Sequence, residues 1–287
     1  MLLPFGEFVE KYNLQDVAYT ITQLAAGNGI VLQQTAIYVL QLVDGGYLDA
    51  LFGNGVAAEN QNTHKLFKRA LSELGSDVML SSTVSHTSRS KKGVKLIADT
   101  PDGRKLIKAK KLLVTAPPTI ENLKPLSLSR KEFNIFSQFD YEALYVGLVQ
   151  DADLDPAFRY FNADPDRMYA LPQLPAPQMI WPTRDNGTNW VWYTSPVEKS
   201  EDEVKSETLA AIRRLAPGSN PSFVAYDSHT PATVGVTADK IKNGFYDDLL
   251  SLQGCRSTWY TGSAWVSDHA AALWNHTEYE LLPQLRV

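Results

Sequence analysis

A chain of 287 residues, 44% hydrophobic and 21% charged, is long enough to bury a sizeable core in one large or two interlocked domains. Its net charge of −5 and pI near 5.6 argue against a nucleic-acid binder, which needs a basic face. The single Cys255 excludes an internal disulfide and fits a reducing compartment, and five scattered histidines give no metal-ligand spacing.

No apolar run is long enough to span a bilayer. The apolar start Met1–Phe5 is followed at once by Glu7, Glu10 and Lys11, so it does not read as a signal peptide, and cytoplasmic residence is expected.

In chain order, Phe5, Phe8, Val9 and Tyr12, then Val17, Ile21 and Leu24, carry a helical rhythm broken near Asn13. Gly27-Asn28-Gly29 reads as a turn, Ile30 to Leu42 as a helix apolar nearly all round, and the glycine-rich 44–62 as a loop. Thr63 starts a helix through Leu74 that turns Leu66, Phe67, Ala70, Leu71 and Leu74 inward, and Gly75 stops it. The period then changes to two. Residues 77–84, 94–98 and 104–109 read as successive strands joined at Lys91-Lys92-Gly93 and Pro101-Asp102-Gly103. Leu112 to Ala116 is a buried strand halted by Pro117-Pro118.

A helix is expected after Ser129, and a second strand-rich region covers 145–149, 158–161, 179–181 and 190–194. Helices at 201–215 and 238–252 flank a strand at 222–226. The chain then reaches Thr258-Trp-Tyr-Thr-Gly-Ser-Ala-Trp265, which reads as a short buried strand, a glycine turn, an aromatic bend and a small-residue helix start. A strand ending in such a turn can aim backbone N–H groups at a phosphate.

The run Leu66 to Gly75, the strand Asp77 to Val84, Lys111-Leu-Leu-Val-Thr-Ala-Pro-Pro118 and Tyr260-Thr-Gly-Ser-Ala264 before Ala270-Ala-Ala272 together resemble the flavin-containing amine oxidase family. The nearest flavour is its β-cyclopiazonate-dehydrogenase branch. The resemblance implies an α+β or α/β fold: a truncated amine-oxidase-like arrangement, with a remnant FAD-type domain carrying a β-meander and a mixed-sheet substrate domain. Residues 1–62 would be the helical part of the substrate domain, 63–118 and 253–287 the FAD-type remnant, and 119–252 the rest of the substrate domain. It also implies Val84 beside an adenine, and Gly262 and Ser263 near phosphates, if FAD is bound.

The pattern departs from the family where it matters for a dinucleotide. No strand, G-x-G-x-x-G turn and helix succeed one another here; Gly27-Asn-Gly29 and Gly53-Asn-Gly55 follow no buried strand. The expectation is therefore a scaffold without cofactor. In it, Trp181, Trp190, Trp192, Tyr260, Trp265 and Trp274 line a roomy pocket for a hydrophobic small molecule, or else serve as core. Asp268 and His269 are the candidate acid/base pair, with a helix N-cap as the alternative. Three functions follow. The first is a cofactor-independent cyclase or isomerase, for example one guiding an intramolecular cycloaddition as a Diels–Alderase does, on a secondary-metabolite intermediate. The second is an FAD-dependent amine oxidoreductase fragment or subunit. The third is a non-catalytic ligand-binding remnant, with a homodimer or partner covering the face left by the missing unit.

Overall fold

The computed structural model describes residues 1–24, 29–41, 43, 49–54, 62–183 and 187–286. In chain order these form helices α1 (Phe5–Lys11), α2 (Gln15–Leu24), α3 (Ala36–Leu40) and α4 (His64–Leu74), then strands β1 (Thr83–Ser90), β2 (Gly93–Thr100), β3 (Gly103–Ala109) and β4 (Leu112–Val114). Helices α5 (Ile120–Leu123) and α6 (Arg130–Phe136) precede β5 (Asp140–Gln150), β6 (Tyr160–Phe161), β7 (Ala176–Pro182) and β8 (Thr188–Ser195). Helix α7 (Glu201–Leu215), β9 (Ser222–Ser228), β10 (Ala232–Gly235), α8 (Ala238–Lys242), α9 (Phe245–Leu250), β11 (Thr258–Tyr260) and α10 (Ala270–His276) follow. The chain divides into two units, Met1–Val43 with Phe139–Lys242, and Asp44–Gln138 with Asn243–Val287.

The first unit is built on an antiparallel sheet ordered β10-β5-β8-β7-β6, with β9 also on β5. Both β9 and β10 pair with the same long strand, β9 along Tyr145–Gln150 and β10 at Asp140 and Glu142, and the chain between them carries Pro231, which has no N–H to give a ladder. Side-chain parity sorts the faces. Ala143, Tyr145, Val149, Val191 and Tyr193 are buried together with Val204 and Ile212 of α7. That helix forms because Val204, Thr208 and Ile212 recur every four residues on one face, with Ser200 and Glu203 closing a capping box at its start. Its acidic first turn and Arg213 and Arg214 in the last complement the helix dipole. On the opposite parity, Trp190 pairs with Leu148 and Trp181, and Trp192 with Val146 and Met179.

A second core in this unit gathers Phe5, Val9, Ala18, Val31, Ala36, Val39 and Leu171. Here the single helix expected from Ile30 to Leu42 is corrected: a 3-10 turn over Val31–Gln33, an extended Gln34 and Thr35, then α3. The cause is long-range pairing, since Phe5 N–H donates to the Gln34 carbonyl and Ala36 N–H to that of Leu3. The Glu142 carboxylate then accepts from the Gly29 and Ile30 N–H groups and from Gln34 Nε2. A Cβ on Gly29 would meet that carboxylate, so a larger residue there displaces the Glu142 side chain from these bonds. The rest of the expected 27–29 turn, and most of the 44–62 loop, lie outside the described residues.

In the second unit β1, β2 and β3 form an antiparallel meander whose buried face is Val94, Leu96 and Ala98. The meander arrives as read, with one shift: β1 runs from Thr83 to Ser90 rather than over 77–84. Its polar Ser-His-Thr-Ser-Arg-Ser run disguises a strand whose inward residues are Thr87 and Arg89. Strands β4 and β11 pair in parallel, Leu112 to Thr258 and Val114 to Tyr260. Two further expectations are corrected. Helix α4 buries none of its residues, and Leu66, Phe67 and Leu74 are all more than half exposed, because among the described residues nothing covers that stripe. The helix read over 238–252 breaks into α8 and α9 at Gly244, whose φ of 86° is left-handed.

Candidate functional site

Two places in the chain gather chemistry, one in each unit. In the second unit the parallel pair β4–β11 ends side by side at Thr115 and Thr261, and the Thr261 N–H donates to the Val114 carbonyl at 3.0 Å. Ligands of parallel sheets bind at this carboxyl edge, because the chain turns away there and leaves backbone groups free. Gly262 follows with φ 127°, a backbone that side chains rarely adopt, and a Cβ there would sit 3.6 Å from the Thr115 carbonyl oxygen. Trp265 N–H then bonds the Gly262 carbonyl and Val266 N–H that of Ser263, so a turn separates the glycine from α10. The Thr261 hydroxyl oxygen is buried and has no hydrogen-bond partner among the described residues. An orphaned hydroxyl beside a left-handed glycine at a parallel carboxyl edge fits one side of a dinucleotide site.

Behind this edge lies a buried ion cluster. Arg89 grips Glu132 with two bonds, Nη1 to Oε1 at 2.8 Å and Nη2 to Oε2 at 3.1 Å, and neither side chain touches solvent. Arg89 Nε also donates to the Leu126 carbonyl, and Arg256 Nη1 lies 3.2 Å from Glu132 Oε2. The Tyr260 hydroxyl donates to Glu132 Oε1 at 2.8 Å. Burial works against ionising Glu132, but bonds from Arg89, the Ser129 N–H and Tyr260 outweigh it and hold the carboxyl at about 2. Burial also pushes the Tyr260 phenol well above its ordinary range. The cluster ties β1, α6 and β11 together.

The sequence-predicted residues distribute as follows. Tyr260 is fully buried and stacks on Trp265 with ring centroids 5.5 Å apart, Phe136 meeting both rings edge-on. Trp274 is 71% exposed on α10. His269 stands at the N-cap position of α10, its N–H bonded to the Ser267 hydroxyl, and Asp268 is exposed just before it. Ser263 is half-buried in the turn, and Val84 lies in β1 packed on the Val94 cluster. In the first unit Trp181 and Trp190 are cross-strand neighbours, Arg159 lies 4.0 Å over the Trp181 ring, and Trp192 sits two register pairs along.

The second place is a cavity of about 370 Å³ in the first unit, between the 29–33 turn and the segment 167–174. None of the six predicted aromatics lines it. Gln33, Gln173 and Thr22 supply polar groups, Ile30, Leu171 and Leu174 apolar ones, and Arg167 stands among them. The sequence reading missed Arg167, Arg89 and Glu132. The last two had a signal, the shared parity of Thr87 and Arg89 and the Ser129-x-x-Glu132 capping box; Arg167 lies in an aperiodic loop and had none.

No family model matches the chain. It is 39% identical, over 99% of its own length and 64% of the other's, to the FAD-dependent oxidoreductase pigF of Monascus ruber. It is 36% identical to the β-cyclopiazonate dehydrogenase of Aspergillus flavus, over 99% of this chain and 63% of that one. The chain thus spans a little under two thirds of the length of these relatives. Among solved structures, a fatty acid isomerase from P. acnes matches all of the chain and 67% of its own at TM-score 0.80 and 16% identity. A cyclohexylamine oxidase from Brevibacterium oxydans matches 93% of this chain and 63% of its own at TM-score 0.53 and 12% identity. At such identities the two structures speak for the fold alone, and the fold is the mixed amine-oxidase type.

The expectation that no cofactor is bound is corrected by the Monascus ruber relative, which is named FAD-dependent, as is the similar dbaF of Emericella nidulans. It rested on the missing glycine fingerprint. In a stretch covering 64% of a relative's length, the absence of one motif from that stretch carries no weight.

Proposed function

Homology along its length to the β-cyclopiazonate-dehydrogenase-like branch of the flavin-containing amine oxidases is the premise from which we propose an FAD-dependent oxidoreductase acting on a hydrophobic small molecule. The observation that carries the reading is the carboxyl edge of β4–β11, with Gly262 left-handed and the Thr261 hydroxyl buried without a partner. FAD, when bound, supplies a two-electron acceptor for a substrate C–H bond.

The protein's own residues have five tasks. Thr261 and Gly262 would hold the cofactor, the hydroxyl as a hydrogen-bonding group and the glycine as a backbone with no Cβ in the way. Ser263 adds a second hydroxyl in the same turn. Tyr260 and Trp265 wall that edge with stacked rings and exclude water from it. The Arg89–Glu132 pair holds β11 in place through the Tyr260 hydroxyl and the Thr258 side chain. Asp268 and His269 are assigned the proton movements at the start of α10, where His269 is half-buried and Asp268 meets water. Trp181, Trp190 and Trp192 offer an apolar strip for a substrate in the first unit.

The relatives' names support this oxidative reading, and the case for the cofactor-independent cyclase was built on the missing glycine fingerprint. Titrating the chain with FAD and following flavin fluorescence tests it. Saturable quenching is expected, weakened about tenfold or more by Gly262→Val, because a β-branched residue at φ 127° strains the turn. A folded chain that neither carries flavin nor quenches its fluorescence would overturn the proposal.

A further inference from the structure

The cavity of the first unit has a chemical bias of its own. Among the described residues that line it Arg167 is the one charged side chain, and none of them is a carboxylate. Arg167 is exposed and makes no side-chain hydrogen bond or ion pair with any described residue. An arginine with no counter-ion at the rim of an otherwise neutral cavity is a ready partner for an anion, because its fork of N–H donors matches a planar pair of oxygens.

The backbone around Arg167 is held rather than loose. Its N–H donates to the Asp164 carbonyl at 3.1 Å, its own carbonyl accepts from Ala170 at 2.9 Å, and Asp164 N–H reaches back to the Ala170 carbonyl at 3.1 Å. Tyr169 and Ala170 are both left-handed, with φ of 56° and 54°, although neither is glycine. Two consecutive residues in that region cost free energy, and such strain persists where a particular surface is being presented. Tyr169 is anchored by its hydroxyl to Glu10 Oε1 at 3.0 Å, and Leu171 is tied into the core around Phe5 and Val9. The wall that carries Arg167 is therefore braced on both sides.

Inside, the lining divides by chemistry. Ile30, Leu171 and Leu174 give an apolar floor, while Gln33, Gln173 and Thr22 offer hydrogen-bonding groups. We propose that this cavity binds a small apolar molecule carrying a delocalised anion, a carboxylate or an acidic enol, with Arg167 as its counter-ion. The volume of about 370 Å³ is at the lower end of the range for small-molecule sites, so the occupant is a compact molecule or the acidic end of a larger one. The proposal goes beyond the function above and assigns a binding site that the tryptophan strip does not share. Binding itself is measured without flavin, so the two can fail separately.

Isothermal titration of the whole chain with decanoate and with decan-1-ol decides it. Decanoate is expected to bind saturably and more tightly than the alcohol. Arg167→Gln should weaken decanoate about tenfold and leave the alcohol unchanged. Arg69→Gln, an exposed cation outside the cavity, should change neither. Met168→Trp, which narrows the cavity at an exposed lining position, should weaken both ligands. Decanoate binding that is absent, no tighter than that of the alcohol, or indifferent to Arg167→Gln would overturn the assignment. Far-ultraviolet circular dichroism of each variant confirms that the fold is kept.

Discussion

Arg89 and Glu132 show how much one pair of residues can carry in this protein. Both are out of contact with solvent, and Arg89 would be an uncompensated buried charge without Glu132, which holds Arg256 as a second cation at 3.2 Å. Glu132→Gln is expected to destabilise the fold by about 3–5 kcal/mol, read from urea denaturation, whereas a like change at the exposed Glu73 should be nearly silent. The pH dependence follows from the direction of the shift. Glu132 falls from 4.5 to about 2 on folding, so its contribution of about 3 kcal/mol is complete above pH 4.5 and is lost as pH falls towards 2. Acid unfolding monitored by tryptophan fluorescence should show this window, and the Gln variant should lack it. Tyr260→Phe removes one donor to Glu132 and should cost about 1–3 kcal/mol without emptying the core.

Among the elements, α7 and α4 make opposite cases. Both have an apolar stripe at helical spacing, yet α7 buries Val204 and Ile212 while α4 buries nothing. Ser200→Ala, which opens the α7 capping box, is expected to cost about 1 kcal/mol in thermal or urea unfolding. Phe67→Glu in α4 should shift stability by less than about 0.5 kcal/mol, because Phe67 is 69% exposed. A large loss at Phe67 would mean that the stripe is covered in solution. The meander was legible in the sequence because Lys91-Lys92-Gly93 and Pro101-Asp102-Gly103 are strong turn signals between alternating runs. Strand β1 was misplaced because burying Arg89 reverses the usual polarity of an inward position, and only the partner Glu132, 43 residues away, makes that tolerable.

For the molecule as a whole, a net charge of −5 carries the prediction that the chain passes unretained over immobilised heparin at moderate salt; retention would reveal a basic patch that the total hides. Among the described residues no helix is long and apolar enough to cross a membrane, and no group of His, Cys, Asp and Glu could hold a metal ion. The division into two units interleaves the chain, each unit taking an early and a late segment. Such interleaving brings Leu112 beside Thr258 and Arg89 beside Tyr260 across more than 140 residues, with β4 and β11 in the correct parallel register.

What the sequence determined by itself was local. The capped helix 201–215, the turns of the meander, a strand before Pro117 (short and half-buried rather than buried) and the strand–glycine–bend–helix order after Thr258 all follow from periodicity and turn chemistry within a few residues. The tertiary structure decided the rest. It split the 30–42 segment because Leu3 and Phe5 compete for its backbone, and it buried a charged pair whose partners are far apart in sequence. It also placed Arg167, from an aperiodic loop, on the rim of a cavity where no carboxylate among the described lining residues answers it. Periodicity reports which face of an element meets the core; which distant group stands opposite, and which charge is left without a partner, is set only when the chain closes on itself.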